Sequence, residues 1–440
     1  MEKLISSSEI HAQSAFLNKF FELLHDTDEA YCVLRNHESL PSSLGGSDLD
    51  IAVLSGRGKV VVNLATKAAE ACGGFPIISY ESSIHVIRFL GMNGDTPWGV
   101  ALDVFEEISY KGINYLKTEK LINNAFDYQG VKVANSDDSS CLALIKELLS
   151  NGKDRKNYLA ELIKIASTKP SVFDFLDPQI GDVMKDLCAE NVRSKDEVFD
   201  YAVQLRKQVL QGKGFSGLMS RFKNLNNRIR RVFKPAGFTV GVLGTDGSGK
   251  TTLIDSLIPL FEEAIHNSVH YEHLRPNFMP PLSAVKSGRD TITVAVNSDP
   301  HGGKQSNFII SFIRLAYYSL DYTFGYWIKI YPKLIVRPRI CIFDRYYYDF
   351  IYDPKRMKIA LPKWLLKSAF LLAPKPKLTL CLVGDPELIY KRKPETNIET
   401  VSAHTKYLEG LTTKPGFIRI DTTTSYQYSI DACVKAFKGT

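Results

Sequence analysis

Residues 238–252 constrain the fold more than any other stretch of the chain. FTVGVL (Phe238 to Leu243) is an apolar run of the buried-strand type, and it passes directly into GTDGSGKTT. Gly244, Gly249, Lys250 and Thr251 satisfy the spacing G-x-x-x-x-G-K-[ST], and a helical segment, Thr251 to Ile258, follows. Strand, glycine-rich loop and helix in that order form a polyphosphate cradle. Gly244, Gly247 and Gly249 let backbone N–H groups face phosphate oxygens with no Cβ in the way. Ser248 and Thr252 belong to the same nucleotide-contacting loop, and the helix N-terminus adds its positive dipole end. Lys250 brings a point charge to the β- and γ-phosphates, and the Thr251 hydroxyl can ligate Mg2+. The cofactors expected are ATP and Mg2+.

The chain has 440 residues, enough for about two to four domains. Hydrophobic residues make up 44% and charged residues 23%, which excludes a disordered or collagen-like chain. The seven cysteines are an odd number with no C-x-x-C pair, which fits a reducing compartment and gives no structural zinc signature. The net charge of +7 hides a split. Residues 1–200 carry 20 Lys/Arg against 30 Asp/Glu, a net of −10, and residues 201–440 carry 35 against 18, a net of +17. A basic half suits phosphate-rich partners, and an acidic half with clustered aspartates suits metal ions. The start, MEKLIS, is not a signal peptide, and the apolar stretch Phe308 to Val336 is broken by Arg314, Asp321 and Lys329. A cytoplasmic location is expected.

The GxDGxGKTT form, with Asp246 inside the cradle, resembles the thymidylate kinase family. A carboxylate there needs a task, such as accepting a hydrogen bond from a substrate hydroxyl or joining the outer shell of the metal. ICIFDRYYYD (Ile340 to Asp349) resembles that family's strand ending in Asp-Arg-Tyr. LTLCLVGDPELIYKRKPE (Leu378 to Glu395) resembles its late strand and lid, and FIRIDTTTS (Phe417 to Ser425) its last strand and adenine-side loop. The resemblance covers about residues 237–440 and implies a three-layer α/β/α fold with a parallel sheet. It implies that Asp344 organises Mg2+, that Arg345 holds an acceptor phosphate and that Arg275, in HLRP, lies near that phosphate. Arg392, between Lys391 and Lys393, is similar to the lid arginine that stabilises the transferring phosphoryl group. Arg314 and Asp321 lie seven apart on one helix (Phe308 to Trp327), where both face an acceptor pocket or pair to hold the helix.

The acceptor side departs from the family. HLRPNFMPP stands where that family has its arginine-glutamate-proline-glycine loop, Leu282 to Asn307 is an insertion, and YYYDFIYDPKRMKI replaces the segment that grips thymine. An acceptor other than dTMP is therefore expected, as a phosphorylated small molecule or glycan intermediate. The chain is also similar to uncharacterised thymidylate kinase-like proteins of bacterial surface-polysaccharide loci. His301 is read as a loop histidine that contacts phosphate or solvent. The tyrosines at 317–318 and 346–348 are read as core and pocket wall. The basic residues cluster at phosphate-site motifs and form no aromatic-interleaved strip, which argues against a nucleic-acid partner.

The first 135 residues read as α+β, with a helix from Ser8 to Leu24 and strands at Ala30 to Leu34, Leu49 to Leu54 and Val100 to Phe105. A helical appendage follows to Leu210. LGGSDLDIAV puts Asp48 and Asp50 on one strand face, and VALDVF puts Asp103 near the end of another. Three such carboxylates can hold one or two Mg2+ ions. The arrangement resembles the polymerase-β-type nucleotidyltransferase superfamily over about residues 25–210. LRNHESLP departs from its Gly-Ser turn, with Arg35 and Asn36 at that place. Residues 211–236 are a linker in which Leu218, Phe222, Leu225, Ile229 and Val232 recur at helical spacing among basic residues. Two readings stand for 218–234: contact with a membrane surface, or an interdomain helix with a solvated basic face.

Overall fold

The computed structural model describes residues 7–189, 194–210, 214–266, 268–280, 306–394 and 396–439. The insertion from Leu282 lies outside them as far as residue 305, and His301 with it. The chain divides into two compact units: Met1–Phe89 with Val100–Arg230, and Leu90–Gly99 with Arg231–Thr440. Among the described residues no helix is long and apolar enough to cross a membrane.

The chain begins with α1 (Ser7–Asp26), β1 (Tyr31–Val33), β2 (Leu49–Val53), α2 (Gly58–Ala71), β3 (Gly74–Glu81), β4 (His85–Asn93) and β5 (Thr96–Phe105), of which residues 90–99 fall in the second unit. Then come β6 (Glu107–Tyr110), β7 (Ile113–Lys117), α3 (Glu119–Asn123), β8 (Phe126–Tyr128) and β9 (Val131–Val133). Seven strands form one sheet in the order β3-β4-β5-β2-β1-β9-β8. β2 runs parallel to β5, with Asp50 opposite Asp103, and antiparallel to β1. The helical appendage consists of α4 (Ser136–Asn151), α5 (Tyr158–Thr168), α6 (Pro178–Ala189) and α7 (Lys195–Leu210). The Asn135 side chain caps α4 by accepting from the Asp137 N–H, and Gly152 at φ 65° ends it in the left-handed region that glycine tolerates. The apolar repeat of α4 (Cys141, Leu144, Ile145, Leu148, Leu149) packs with Leu162, Met184, Leu187, Ala202 and Leu205 in one core. The next helix, α8 (Gly214–Phe233), leaves Phe222, Leu225 and Ile229 exposed.

The second unit holds β10 (Phe238–Gly244), α9 (Lys250–Ala264), β11 (Val269–His273), α10 (Phe308–Gly325), α11 (Tyr331–Val336), β12 (Ile340–Asp344), α12 (Asp349–Tyr352) and α13 (Lys363–Ala369). It closes with β13 (Leu378–Val383), α14 (Pro386–Arg392), α15 (Ile398–Leu411), β14 (Phe417–Asp421) and α16 (Tyr426–Ala436). The five strands are parallel in the order β11-β12-β10-β13-β14. β10, β12 and β13 are buried along their whole length, as a sheet covered on both faces requires. Alternate residues Leu243, Cys341, Phe343, Cys381 and Val383 pack against Leu315 and Tyr322 of α10 and Leu408 and Leu411 of α15. On the other face, Phe437 beyond α16 meets Phe238 of β10 (centroids 6.2 Å) and Phe261 of α9 (5.0 Å). The result is a three-layer α/β/α unit with β10 in the middle. Its register sets Val242 beside Asp344, so the loop after β10 and the end of β12 share one edge of the sheet.

Candidate active site

The loop between β10 and α9 is closed by its own side chains. Gly249 precedes α9 at φ 84° and Gly247 turns the chain at φ 81°, both in the left-handed region that glycine tolerates. A Cβ on Gly244 would stand 2.3 Å from Ser248 Oγ, and one on Gly247 would stand 2.7 Å from the Ile389 carbonyl oxygen of α14. The β10–α9 loop and α14 therefore approach backbone to backbone. Lys250 is buried, and its ammonium donates to the carbonyls of Gly244 (2.8 Å) and Thr245 (2.7 Å). Burial is the largest influence on it, Arg345 adds to it, and its pKa is lowered to about 7 despite the nearby aspartates. The Ser248 and Thr245 hydroxyl oxygens are buried without a hydrogen-bond partner among the described residues. Thr251 and Thr252 are exposed in the first turn of α9.

Asp246 has its task inside the protein. One carboxylate oxygen accepts from Arg345 at 2.5 Å, the other accepts from Arg356, and the Lys250 ammonium stands 3.9 Å away. Burial opposes ionisation, but Arg345, Lys250 and Arg356 outweigh it and hold the carboxyl well below the usual carboxylate range. Arg345 sits at φ 75°, a costly conformation for a residue with a Cβ, and this turn aims its guanidinium back at the loop. Its other arm donates to the buried Asp349 at 2.8 Å. Asp344 accepts from Tyr271 Oη at 2.9 Å and pairs with His273 Nδ1 at 3.3 Å, both on β11. Burial works against its charge, yet His273, Tyr271 and Lys250 keep its pKa low. Its Oδ1 is buried with no hydrogen-bond partner among the described residues. A carboxylate oxygen left without a partner is a ligand type that suits Mg2+.

The remaining expected contacts have other partners. Arg275 donates to Asp321 at 2.8 Å in a buried pair, and Asp321 also accepts from the N–H groups of Phe278 and Met279. That pair fixes the 275–279 turn on α10. Arg314 does not meet Asp321, and donates instead to the Met357 carbonyl at 3.1 Å. Arg392 is exposed and donates to the Thr422 carbonyl at 2.9 Å, on the loop after β14. Lys393, just past α14, has its Cβ 3.1 Å from a Cβ built on Gly247. Sequence reasoning missed Arg356, Asp349, Tyr271 and His273. Asp349 had a signal, standing four residues after Arg345, whereas Arg356 lies in the segment marked only as a departure.

In the first unit, Asp48, Asp50 and Asp103 do converge. Arg35 Nε donates to Asp50 Oδ2. Arg88, on β4, donates to Asp103 Oδ1 at 2.7 Å and stands 4.0 Å from Asp48. Burial raises the pKa of Asp103, Arg88 opposes that, and Asp50 and Asp48 add to it. Gly45 and Gly46, both at positive φ, form the turn before Asp48.

No family model and no curated protein matches the chain. Among solved structures it is similar to the thymidylate kinase from Ehrlichia chaffeensis, at 18% identity and a TM-score of 0.30. That match covers 46% of this chain and 95% of the other. A likeness of that strength leaves the reading to rest on the chain's own geometry.

Proposed function

We propose that residues 237–440 are a P-loop phosphotransferase that moves the γ-phosphoryl group of ATP to a phosphorylated small molecule or glycan intermediate. The observation that carries this reading is the pairing of two features at one sheet edge. A buried Lys250 ammonium rests on two backbone carbonyls inside a glycine cradle, and two guanidiniums, Arg345 and Arg356, meet beside it on Asp246. Bound triphosphate would draw Lys250 and the loop N–H groups onto its β- and γ-oxygens. An acceptor phosphate competes with Asp246 for Arg345 and Arg356, so the acceptor enters where guanidiniums are already gathered. Asp344 and Thr251 would hold Mg2+, which neutralises charge on the transferring group. Catalysis is then mostly positioning and charge stabilisation, and the lid helix α14 excludes water.

A panel of nucleotides, sugar phosphates and extracted glycan intermediates, incubated with Mg-ATP and read by mass spectrometry, tests the reading. The expected product carries one added phosphoryl group and disappears in Lys250→Ala. A product on dTMP at ordinary rates would make the chain a dTMP kinase. ATP binding with no product on any acceptor would make it a nucleotide-sensing switch. For α8 we propose contact with an anionic membrane surface, because exposed Phe222, Leu225 and Ile229 accompany Arg228, Arg230 and Arg231. Sedimentation with anionic vesicles should fall in Ile229→Glu. No sedimentation of the unaltered protein would leave a solvated interdomain helix.

A further inference from the structure

Helix α10 turns much of its apolar surface outward. Ile309, Ile313, Leu320 and Phe324, with Trp327 just past its end, recur at helical spacing and are all exposed. Leu315 and Tyr322 take the opposite side of the helix and pack on the sheet. α13 lies alongside: the Ser319 hydroxyl donates to the Ala369 carbonyl, and the Tyr322 and Phe370 rings meet at 5.5 Å. Ser319 precedes Leu320 on α10, and Ala369 shortly precedes Leu371 and Leu372, so the exposed side chains of the two helices adjoin. Trp364 on α13 is 69% exposed, and Leu371 and Leu372 are 80% and 78% exposed. A soluble monomer rarely leaves a continuous apolar surface of this extent uncovered.

The rim of this surface is basic. Residues 354–377 contain six lysines and one arginine and no Asp or Glu, and Lys363, Lys367 and Lys375 are exposed around Trp364 and the leucine pair. The only acid between residues 306 and 337, Asp321, is buried and paired with Arg275. That charge pattern selects the occupant. A second copy of the chain would set these lysines against their own kind, with no acid on the face to meet them. The phosphates of an anionic bilayer supply the missing charge. Its acyl region takes the Ile, Leu and Phe side chains, and its headgroup boundary takes the tryptophans and the lysine tips.

We propose that the α10–α13 face of the second unit docks on an anionic lipid surface. This contact is separate from the one proposed for α8 and does not depend on phosphoryl transfer.

Tryptophan fluorescence reads this face alone. Of the three tryptophans, Trp98 is buried, Trp327 and Trp364 lie on the face, and α8 has none. The full chain is titrated with vesicles of phosphatidylcholine and phosphatidylglycerol in equal parts, carrying bromine on the acyl chains. The expected result is a blue shift and quenching, each reduced by Trp327→Phe and by Trp364→Phe. Ile313→Glu/Phe324→Glu should need at least about tenfold more lipid for the same quenching. Leu371→Glu/Leu372→Glu, on side chains still more exposed, repeats that test should the first pair fail to fold. Emission unmoved by the vesicles would overturn the proposal, and so would quenching that both glutamate pairs leave unchanged. Equal quenching by brominated phosphatidylcholine alone would overturn the anionic requirement. Unmoved emission together with a two-copy mass in sedimentation equilibrium, reduced to one copy by Ile313→Glu/Phe324→Glu, would make the face a homodimer interface instead.

Discussion

Lys250 carries the sharpest prediction of any single side chain. Its pKa is lowered to about 7 by burial and by Arg345. A bound polyphosphate is an opposing charge and raises that pKa again. Above pH 7, and up to the ordinary lysine range, ATP binding should therefore take up a proton. Affinity should fall by up to about tenfold per pH unit across that window. Calorimetry at pH 8 in two buffers of different ionisation enthalpy measures the uptake directly, and an absence of buffer dependence would remove Lys250 from the site. Arg356→Ala makes a different demand. Loss of one charge-assisted contact should raise the acceptor KM by about ten- to hundredfold while ATP affinity holds. Equal loss toward ATP would place Arg356 on the donor side instead. Neither Arg356 nor Arg88 was legible in the sequence. Their partners are 110 and 15 residues away along the chain, and only tertiary pairing brings them together. The strand–loop–helix turn that holds Gly244, Lys250 and Thr251 was legible because its spacing is local in the chain. Arg275 was legible only through the family resemblance and Asp321 as a charge in an apolar stretch, and neither as the other's partner.

The elements show where local pattern was sufficient and where packing overrode it. β10, β12 and β13 were readable as apolar runs because a covered parallel sheet buries every residue. α9 was expected to stop at Ile258, before Pro259, yet it runs to Ala264 with Pro259 inside. Leu260, Phe261 and Ala264 are buried beyond that proline, and their packing offsets its lost hydrogen bond. Strands β6 to β9 are three to five residues long, too short for a period to declare itself. The contact between phosphate loop and lid is a property of two elements at once. Gly247→Ala would set a side chain at φ 81° against the Ile389 carbonyl. The left-handed conformation alone costs about 1–2 kcal/mol. The change should lower Tm and reduce ATP affinity together, as thermal melts with and without nucleotide would show. An unaltered ATP shift would mean that the loop does not need this turn.

At the scale of the molecule, the opposite charges of the two halves follow different physics. The second half gathers Arg345, Arg356 and Lys250 around Asp246 of the loop after β10. The acidic half sets Arg35 against Asp50 and Arg88 against Asp103 and Asp48. The fold class of both halves could be argued from strand and helix patterns together with the phosphate loop. The state of the aspartate cluster could not, because it depends on which residue of β4 lies beside Asp103. The central claim is phosphoryl transfer from ATP by residues 237–440. Its most direct test supplies ATP with heavy oxygen in the γ-phosphate and follows the label by mass spectrometry across the acceptor panel. The account predicts labelled phosphate on an organic acceptor, lost in Lys250→Ala. Label recovered only in inorganic phosphate or in unreacted ATP, with ATP demonstrably bound, would contradict it.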